Sequence, residues 1–259
     1  MKEPYNKNNK HTNENLIEGR NAVLEAFRSG RPIDKLYVLD GCQDGPVRTI
    51  VREARKHDTI IQFVEKERLS QLSETGRHQG VIAFAAAYEY AEVEDMLKLA
   101  EEKGEDPFII ILDNIEDPHN LGAIIRTANL AGAHGVIIPK RRSVGLNYVV
   151  AKTSVGAVEY VPVARVTNIS RTIDELKERG VWIFGADMDG EALWSADLSG
   201  SIGLVLGAEG EGVSRLVKEK CDFVVSLPMR GKIESLNASV AASVMMYEVT
   251  RQRLGIKAR

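Results

Sequence analysis

Several polar side chains sit among residues too small or too apolar to explain them: Asn120 and Arg126 in NLGAIIRTANLAG, Glu209 in GAEGEG, and Ser235 and Asn237 in ESLNAS. An arginine in an otherwise apolar helix offers a planar fork for phosphate or carboxylate, although a plain surface position also accounts for it. Asn120 reads first as the N-cap of a helix over Leu121 to Ala131. Ser235 and Asn237 place hydrogen-bonding groups at the start of a small-residue helix, beside two strand ends. His119 stands alone, with no second histidine at a useful spacing.

The loop Gly207-Ala-Glu-Gly-Glu-Gly212 invites comparison with nucleotide-binding turns. Its spacing is G-x-x-G-x-G rather than G-x-G-x-x-G, and no Walker lysine follows. Glu209 and Glu211 would repel a pyrophosphate at the following helix N-terminus. A dehydrogenase reading therefore fails. The glycines let backbone approach a flat ligand, and the carboxylates suit one that is neutral or positively charged. The chain has no HExxH, no CxxC and no G-x-S-x-G, so neither a metal site nor a nucleophile elbow is expected.

These residues need a frame, and the apolar runs supply one. Ile202 to Leu206 leads into the glycine loop, and Phe223 to Leu227 ends at Pro228, just before Gly231 and the final helix. Two strand ends and a helix start converge there, as at a ligand pocket on the carboxyl edge of an α/β sheet. Upstream, Phe108 to Leu112 reads as a buried parallel strand. Further strands are expected at Val136 to Ile138, Glu159 to Val163 and Val181 to Ala186. Helices are expected over Leu146 to Ser154 and Ile169 to Arg179. This alternation predicts a mostly parallel sheet with helices on both faces.

Residues 1 to 15, polar and rich in Asn and Lys, are expected to be a disordered tail. Residues 16 to 88 alternate strand and helix and read as a small α/β domain. Residues 89 to 106 read as a linker, with a helix-like, acidic stretch over Glu92 to Lys103 that Gly104 to Pro107 breaks. Residues 107 to 259 form the second domain.

A chain of 259 residues exceeds one average domain, and its net charge of -3 does not announce a nucleic-acid binder. Local clusters matter more. Arg20, Arg28 and Arg31 gather near the first helix, and Lys140, Arg141 and Arg142 follow an apolar run. No run approaches the ~18 residues of a membrane span. The first residues lack the apolar core of a secretory signal. Cys42 and Cys221 lie far apart and read as small hydrophobes. A cytoplasmic location is expected.

Three stretches together resemble one family: DNIEDPHNLGAIIRTANLAGAHGVI, GLVLGAEGEGVSRLVKEKCDFVVSLPM and IESLNASVAAS. They look like the motifs of the SpoU (TrmH) class of SPOUT RNA 2'-O-methyltransferases, and the match spans nearly all of residues 108 to 255. Ile17 to Tyr88 resembles the L30e-like RNA substrate-binding domain of that class. Domain order is most similar to the bacterial 23S rRNA guanosine 2'-O-methyltransferases.

The resemblance implies a trefoil-knotted SPOUT domain, a homodimer and S-adenosylmethionine as methyl donor, giving S-adenosylhomocysteine without a metal. It implies cofactor contacts at Leu206, Gly207, Gly210, Leu227, Met229 and Leu236, with adenine held by backbone at the three leucines. It implies Arg126 as the catalytic arginine, with Asn120, Glu209, Ser235 and Asn237 around it. Arg20, Arg141 and Arg142 are candidate RNA contacts. A tRNA substrate, or a non-catalytic RNA-binding protein of the same fold, is the alternative.

Overall fold

The computed structural model describes residues 15–233 and 235–256. It divides into two compact units at Ala87/Tyr88. Of the expected tail, all but Asn15 lies outside the described residues. Asn15 is buried, and its carbonyl accepts a hydrogen bond from Ala85 N at 2.8 Å.

The first unit runs β1 (Leu16–Glu18), α1 (Arg20–Arg28), β2 (Ile33–Leu39), α2 (Gly45–Lys56), β3 (Ile60–Val64), α3 (Lys66–Leu72) and β4 (Val81–Ala85). Its sheet has the order β1-β4-β2-β3, with only β2 and β3 parallel. Val23, Ala26 and Phe27 recur at helical spacing on α1 and meet Val47, Ile50 and Ala54 of α2 over Leu36 and Val38. Asp44 starts α2 by accepting from Val47 N at 3.1 Å.

The second unit begins at Tyr88, so the whole stretch expected as a linker lies within it. That stretch carries α4 (Val93–Lys103), whose Met96 and Ala100 are fully buried. Its charges are confined to the solvent face, which makes a packed amphipathic helix look like a polar connector.

There follow β5 (Phe108–Leu112), α5 (Pro118–Ala131), β6 (Gly135–Pro139), α6 (Tyr148–Thr153), β7 (Val163–Val166) and α7 (Ile169–Glu178). The chain closes with β8 (Trp182–Ala192), β9 (Ile202–Leu206), α8 (Arg215–Lys218), β10 (Phe223–Ser226) and α9 (Ala238–Arg253).

All neighbours in this sheet are parallel, in the order β10-β8-β9-β5-β6-β7. The central strand β5 shows why its sequence is apolar throughout. Phe108, Ile110 and Leu112 face a core shared with α5, α6 and α9, whereas Ile109 and Ile111 face one shared with α4, α7 and α8.

Local chemistry moved some boundaries. Residues 157–159 form a 3-10 turn, and the strand expected from Glu159 starts only at Val163, because Pro162 has no N–H to give a ladder. The α5 cap is Asp117, which accepts from His119 N at 2.8 Å, with Pro118 at the first helical position. Asn120 is therefore not the cap, and its amide is free for other work. Cys221 does pack as a small hydrophobe, and burial pushes its thiol up to about 11.

Candidate active site

The carboxyl ends of β5 and β9 lie side by side at the centre of the sheet. Asp113, buried at the end of β5, holds both exit loops. Its N–H donates to Leu206 O, and its carboxylate accepts from Ser214 N, each at 2.8 Å. Sequence reading did not single it out. Its only signal was an acid directly after an unbroken apolar strand.

The glycine loop folds back on itself, with Gly212 N donating to Ala208 O at 2.9 Å. A Cβ on Gly207 would lie 2.0 Å from the Gly212 carbonyl and 2.3 Å from Val213 N. Gly207 is thus needed by the loop's own return, not by ligand approach as expected from sequence. Gly210 and Gly212 have φ of +82° and +67°, the left-handed region that favours glycine.

This turn forms one wall of an apolar cleft of about 270 Å³. Leu206, Gly207, Gly210, Leu227, Met229 and Leu236 all line it, as do Ser235 and Glu209. Ala238, Ala241 and Met245 of α9 close the far side. Asp187 borders it too, its carboxyl held below the usual range by hydrogen bonds, chiefly from Lys218 at 2.9 Å, that outweigh its burial. The walls suit a flat, mostly apolar ligand, and Asp187, Glu209 and Glu211 suit positive charge on it.

Glu209, Asn120 and Asn237 come together from three distant parts of the chain. Glu209 Oε1 accepts from Asn120 Nδ2 (3.1 Å), from Ala238 N (3.2 Å) and from Asn237 Nδ2. Asn237 Nδ2 also donates to Asn120 Oδ1 at 3.0 Å. Asn237 Oδ1 meanwhile caps α9, accepting from Ser239 N at 3.0 Å and Val240 N at 3.3 Å. The carboxylate therefore sits on the positive end of α9 and carries two amide donors.

Residues 107–247 of this chain match the SpoU rRNA Methylase family, and residues 16–91 match the family described as RNA 2'-O ribose methyltransferase substrate binding. The chain belongs to the SpoU rRNA methylase family. It is an RNA methyltransferase of the SpoU/TrmH type with the SPOUT fold. A protein of Bacillus subtilis named for the TrmH family of tRNA/rRNA methyltransferases, YacO, is 53% identical over 92% of this chain and 95% of its own length. The SpoU methyltransferase AviRb from Streptomyces viridochromogenes, solved with AdoMet, is 25% identical and superposes with a TM-score of 0.59 over 93% of this chain and 90% of its own. The TrmH/SpoU tRNA modifying enzyme of A. aeolicus is 28% identical, with a TM-score of 0.54 over 62% of this chain and 84% of its own.

The remaining site residues expected for a SpoU enzyme lie elsewhere. Arg126 is exposed on α5, lines neither this cleft nor the polar one beside it, and has no hydrogen bond or ion pair among the described residues. Its neighbour Thr127 meets Ser243 of α9 at 3.1 Å. Arg141 is exposed, and Arg142 lines the polar cleft. Arg20 is occupied within the first unit: it pairs with Asp44 at 2.6 Å and donates Nε to Gln79 O at 2.9 Å. That engagement makes it a brace between loops. Among the described residues no group of three His, Cys, Asp or Glu converges on one point, and no helix is long and apolar enough to cross a membrane.

Proposed function

We propose that this chain transfers a methyl group from S-adenosylmethionine to the ribose 2'-hydroxyl of a guanosine in 23S rRNA, releasing S-adenosylhomocysteine. The observation that carries the reading is the Glu209-Asn120-Asn237 cluster on the wall of an apolar cleft at the carboxyl edge of a parallel sheet. The cleft fits the donor. Leu206, Leu227 and Leu236 offer an adenine apolar walls and backbone groups, and the nearby carboxylates favour the cationic sulfonium and ammonium. The donor supplies an electrophilic methyl, and the chain must hold an oxygen in line with it, a placement worth ~7–11 kcal/mol of barrier.

Arg126 serves as a bidentate clamp on an RNA phosphate. A guanidinium does not give up its proton inside a protein and does not act as the base, and the hydroxyl proton leaves late, to water. The position of Arg126 supports a homodimer. On α9, Ala242, Met245 and Met246 are buried, while Val240, Val244 and Tyr247 are 47%, 39% and 50% exposed on another side. A helix apolar around its circumference wants a second cover. A second copy on that face places Arg126, beside α9, at its partner's cleft. The place of β9 between β8 and β5, and α9 packed on α5, support a C-terminal segment threaded as a trefoil knot.

The test is ribose-methylation mapping of rRNA and tRNA from cells with and without this protein, with purified enzyme as complement. Loss of a single 23S rRNA guanosine methylation, restored by wild type and not by Arg126→Lys or Arg126→Ala, is expected. A lost methylation on tRNA instead moves the substrate. Near-normal transfer by Arg126→Lys contradicts the clamp. A fragment lacking residues 1–88 is expected to bind donor but not methylate rRNA.

A further inference from the structure

Beside the apolar cleft, and sharing Ala208, Glu209, Glu211 and Ala238 with it, is a second cleft of about 550 Å³. Its other lining residues are Asn114, Ile115, Glu116, Asp117, Asn120 and Arg142. Methyl transfer needs the accepting oxygen within about 3–3.5 Å of the methyl. If the apolar cleft holds the donor, the nucleotide being methylated has to occupy the space across that shared wall. The inference therefore rests on the proposed function and adds what the second cleft recognises.

The charges there pose a problem for an RNA enzyme. Glu116, Asp117, Glu209 and Glu211 border the cleft, and a ribose-phosphate chain lying on them would be repelled. Two of them have other duties. Glu209 is held by Asn120 and Asn237, and Asp117 caps α5. Glu116 and Glu211 are both exposed and without a partner among the described residues, and of the two only Glu116 lies away from the apolar cleft. A free carboxylate can only accept hydrogen bonds, so its match is a ligand edge made of donors. Guanine alone among the bases sets two donors side by side, N1–H and N2–H, on its Watson–Crick edge. In adenine and cytosine the amino group stands beside an acceptor, and in uracil N3–H lies between two.

Among the described residues, Arg142 is the one cation lining the cleft. Its backbone has φ +55°, a conformation costly for a residue with a side chain. The conformation is held from both sides. Lys140 N donates to Val166 O at 2.8 Å, and Val144 N and Ser143 Oγ donate to Ile115 O at 3.1 and 3.2 Å. A guanidinium so placed, with no partner among the described residues, is set to take phosphate.

We propose that this second cleft receives the target nucleotide turned out of the RNA, with Glu116 accepting from guanine N1–H and N2–H and Arg142 holding the adjoining phosphate. Enzymes that read an extruded base commonly do so by its Watson–Crick edge. Glu116 is then a specificity-determining residue and Arg142 a positioning one.

The test uses the full chain, S-adenosylmethionine and total RNA from cells lacking this protein. Tritiated methyl transfer gives kcat and KM. Mass spectrometry of the digested RNA identifies the methylated nucleoside, and calorimetry gives donor affinity. Wild type is expected to yield 2'-O-methylguanosine. Glu116→Gln, which presents an amide with only one acceptor, is expected to bind donor unchanged and lose at least tenfold in kcat/KM, mostly through KM. Arg142→Lys and Arg142→Ala are expected to raise KM in that order. Arg142→Ala should also reduce the salt slope of RNA binding by about 0.7–0.9. These comparisons are made at matched folded fractions, and Arg142→Lys keeps the charge if Arg142→Ala folds poorly. A 2'-O-methylated nucleoside other than guanosine, or Glu116→Gln within twofold of wild type, overturns the readout while leaving the methyltransferase reading intact. No donor binding, or no transfer to any RNA by wild type, refutes the underlying reading and this inference with it.

Discussion

Replacing Gly207 by alanine tests how the apolar cleft proposed for the donor is held open. The new methyl would sit 2.0 Å from the Gly212 carbonyl, about 1 Å inside the closest approach that such atoms make. Backbone cannot rotate aside as a flexible side chain would, so the return of the loop must move. Two hydrogen bonds depend on that return: Gly212 N to Ala208 O at 2.9 Å and Ser214 N to the Asp113 carboxylate at 2.8 Å. A neutral bond contributes about 1 kcal/mol and one to a carboxylate about 1.5–3, so restoring the closed loop around a ligand costs about 3 kcal/mol. At 1.4 kcal/mol per decade, the donor's Kd should rise about 100-fold. Gly210→Ala is the control. No atom lies within 4 Å of its Cβ position, and only the +82° φ is strained. That costs about 1 kcal/mol, or roughly fivefold in Kd. Isothermal titration of S-adenosylmethionine into the three proteins gives the ranking. A Gly207→Ala Kd within threefold of wild type, or one no worse than Gly210→Ala, refutes the steric argument.

Arg253 ties the end of α9 to the sheet, donating to Asp106 O (2.9 Å), Pro107 O (3.0 Å) and Gly200 O (2.7 Å) over the Phe108 ring. Arg253→Ala should lower the unfolding free energy by about 3 kcal/mol, since charge-assisted bonds contribute about 1.5–3 each and not additively. Denaturant titration measures this, and a loss below 1 kcal/mol refutes it. Buried His134 accepts at Nδ1 from Phe108 N (3.0 Å), so its Nε2–H faces Glu105 at 3.1 Å. Burial holds its pKa below the usual 6.5, so the unfolded chain binds the extra proton first. Its contribution is whole above pH 6.5 and lost as pH falls towards the folded pKa. Wild type should therefore lose stability between pH 7 and 5 more steeply than His134→Gln, and equal slopes sink the argument.

How much of this was legible in the sequence depended on whether one segment carried its own explanation. The FIIIL run announced a strand buried on both faces, because its neighbours in space impose the same demand on every residue. The acidic α4 misled, because its buried Met96 and Ala100 are few against its charged face. Asn120 shows the limit of local reasoning most clearly. Capping was a sufficient account from sequence, yet Asp117 and Pro118 already begin the helix. The amide is thereby released to join Glu209 and Asn237, which lie 89 and 117 residues away. Spacing along the chain holds no trace of such a meeting; only the resemblance of whole motifs pointed to it. The same logic applies to Arg126. A chain taken singly leaves it exposed on α5, away from both clefts, and no periodicity of its helix says what it should reach. If a second copy covers the apolar side of α9, the clamp and the carboxylate cluster meet across that interface. Mixing Arg126→Ala with Glu209→Gln chains should then restore part of the activity that each homodimer lacks, because one site in the mixed dimer is intact. Absence of any recovery, with mixed dimers confirmed by native mass spectrometry, would place Arg126 and Glu209 in the same chain's site.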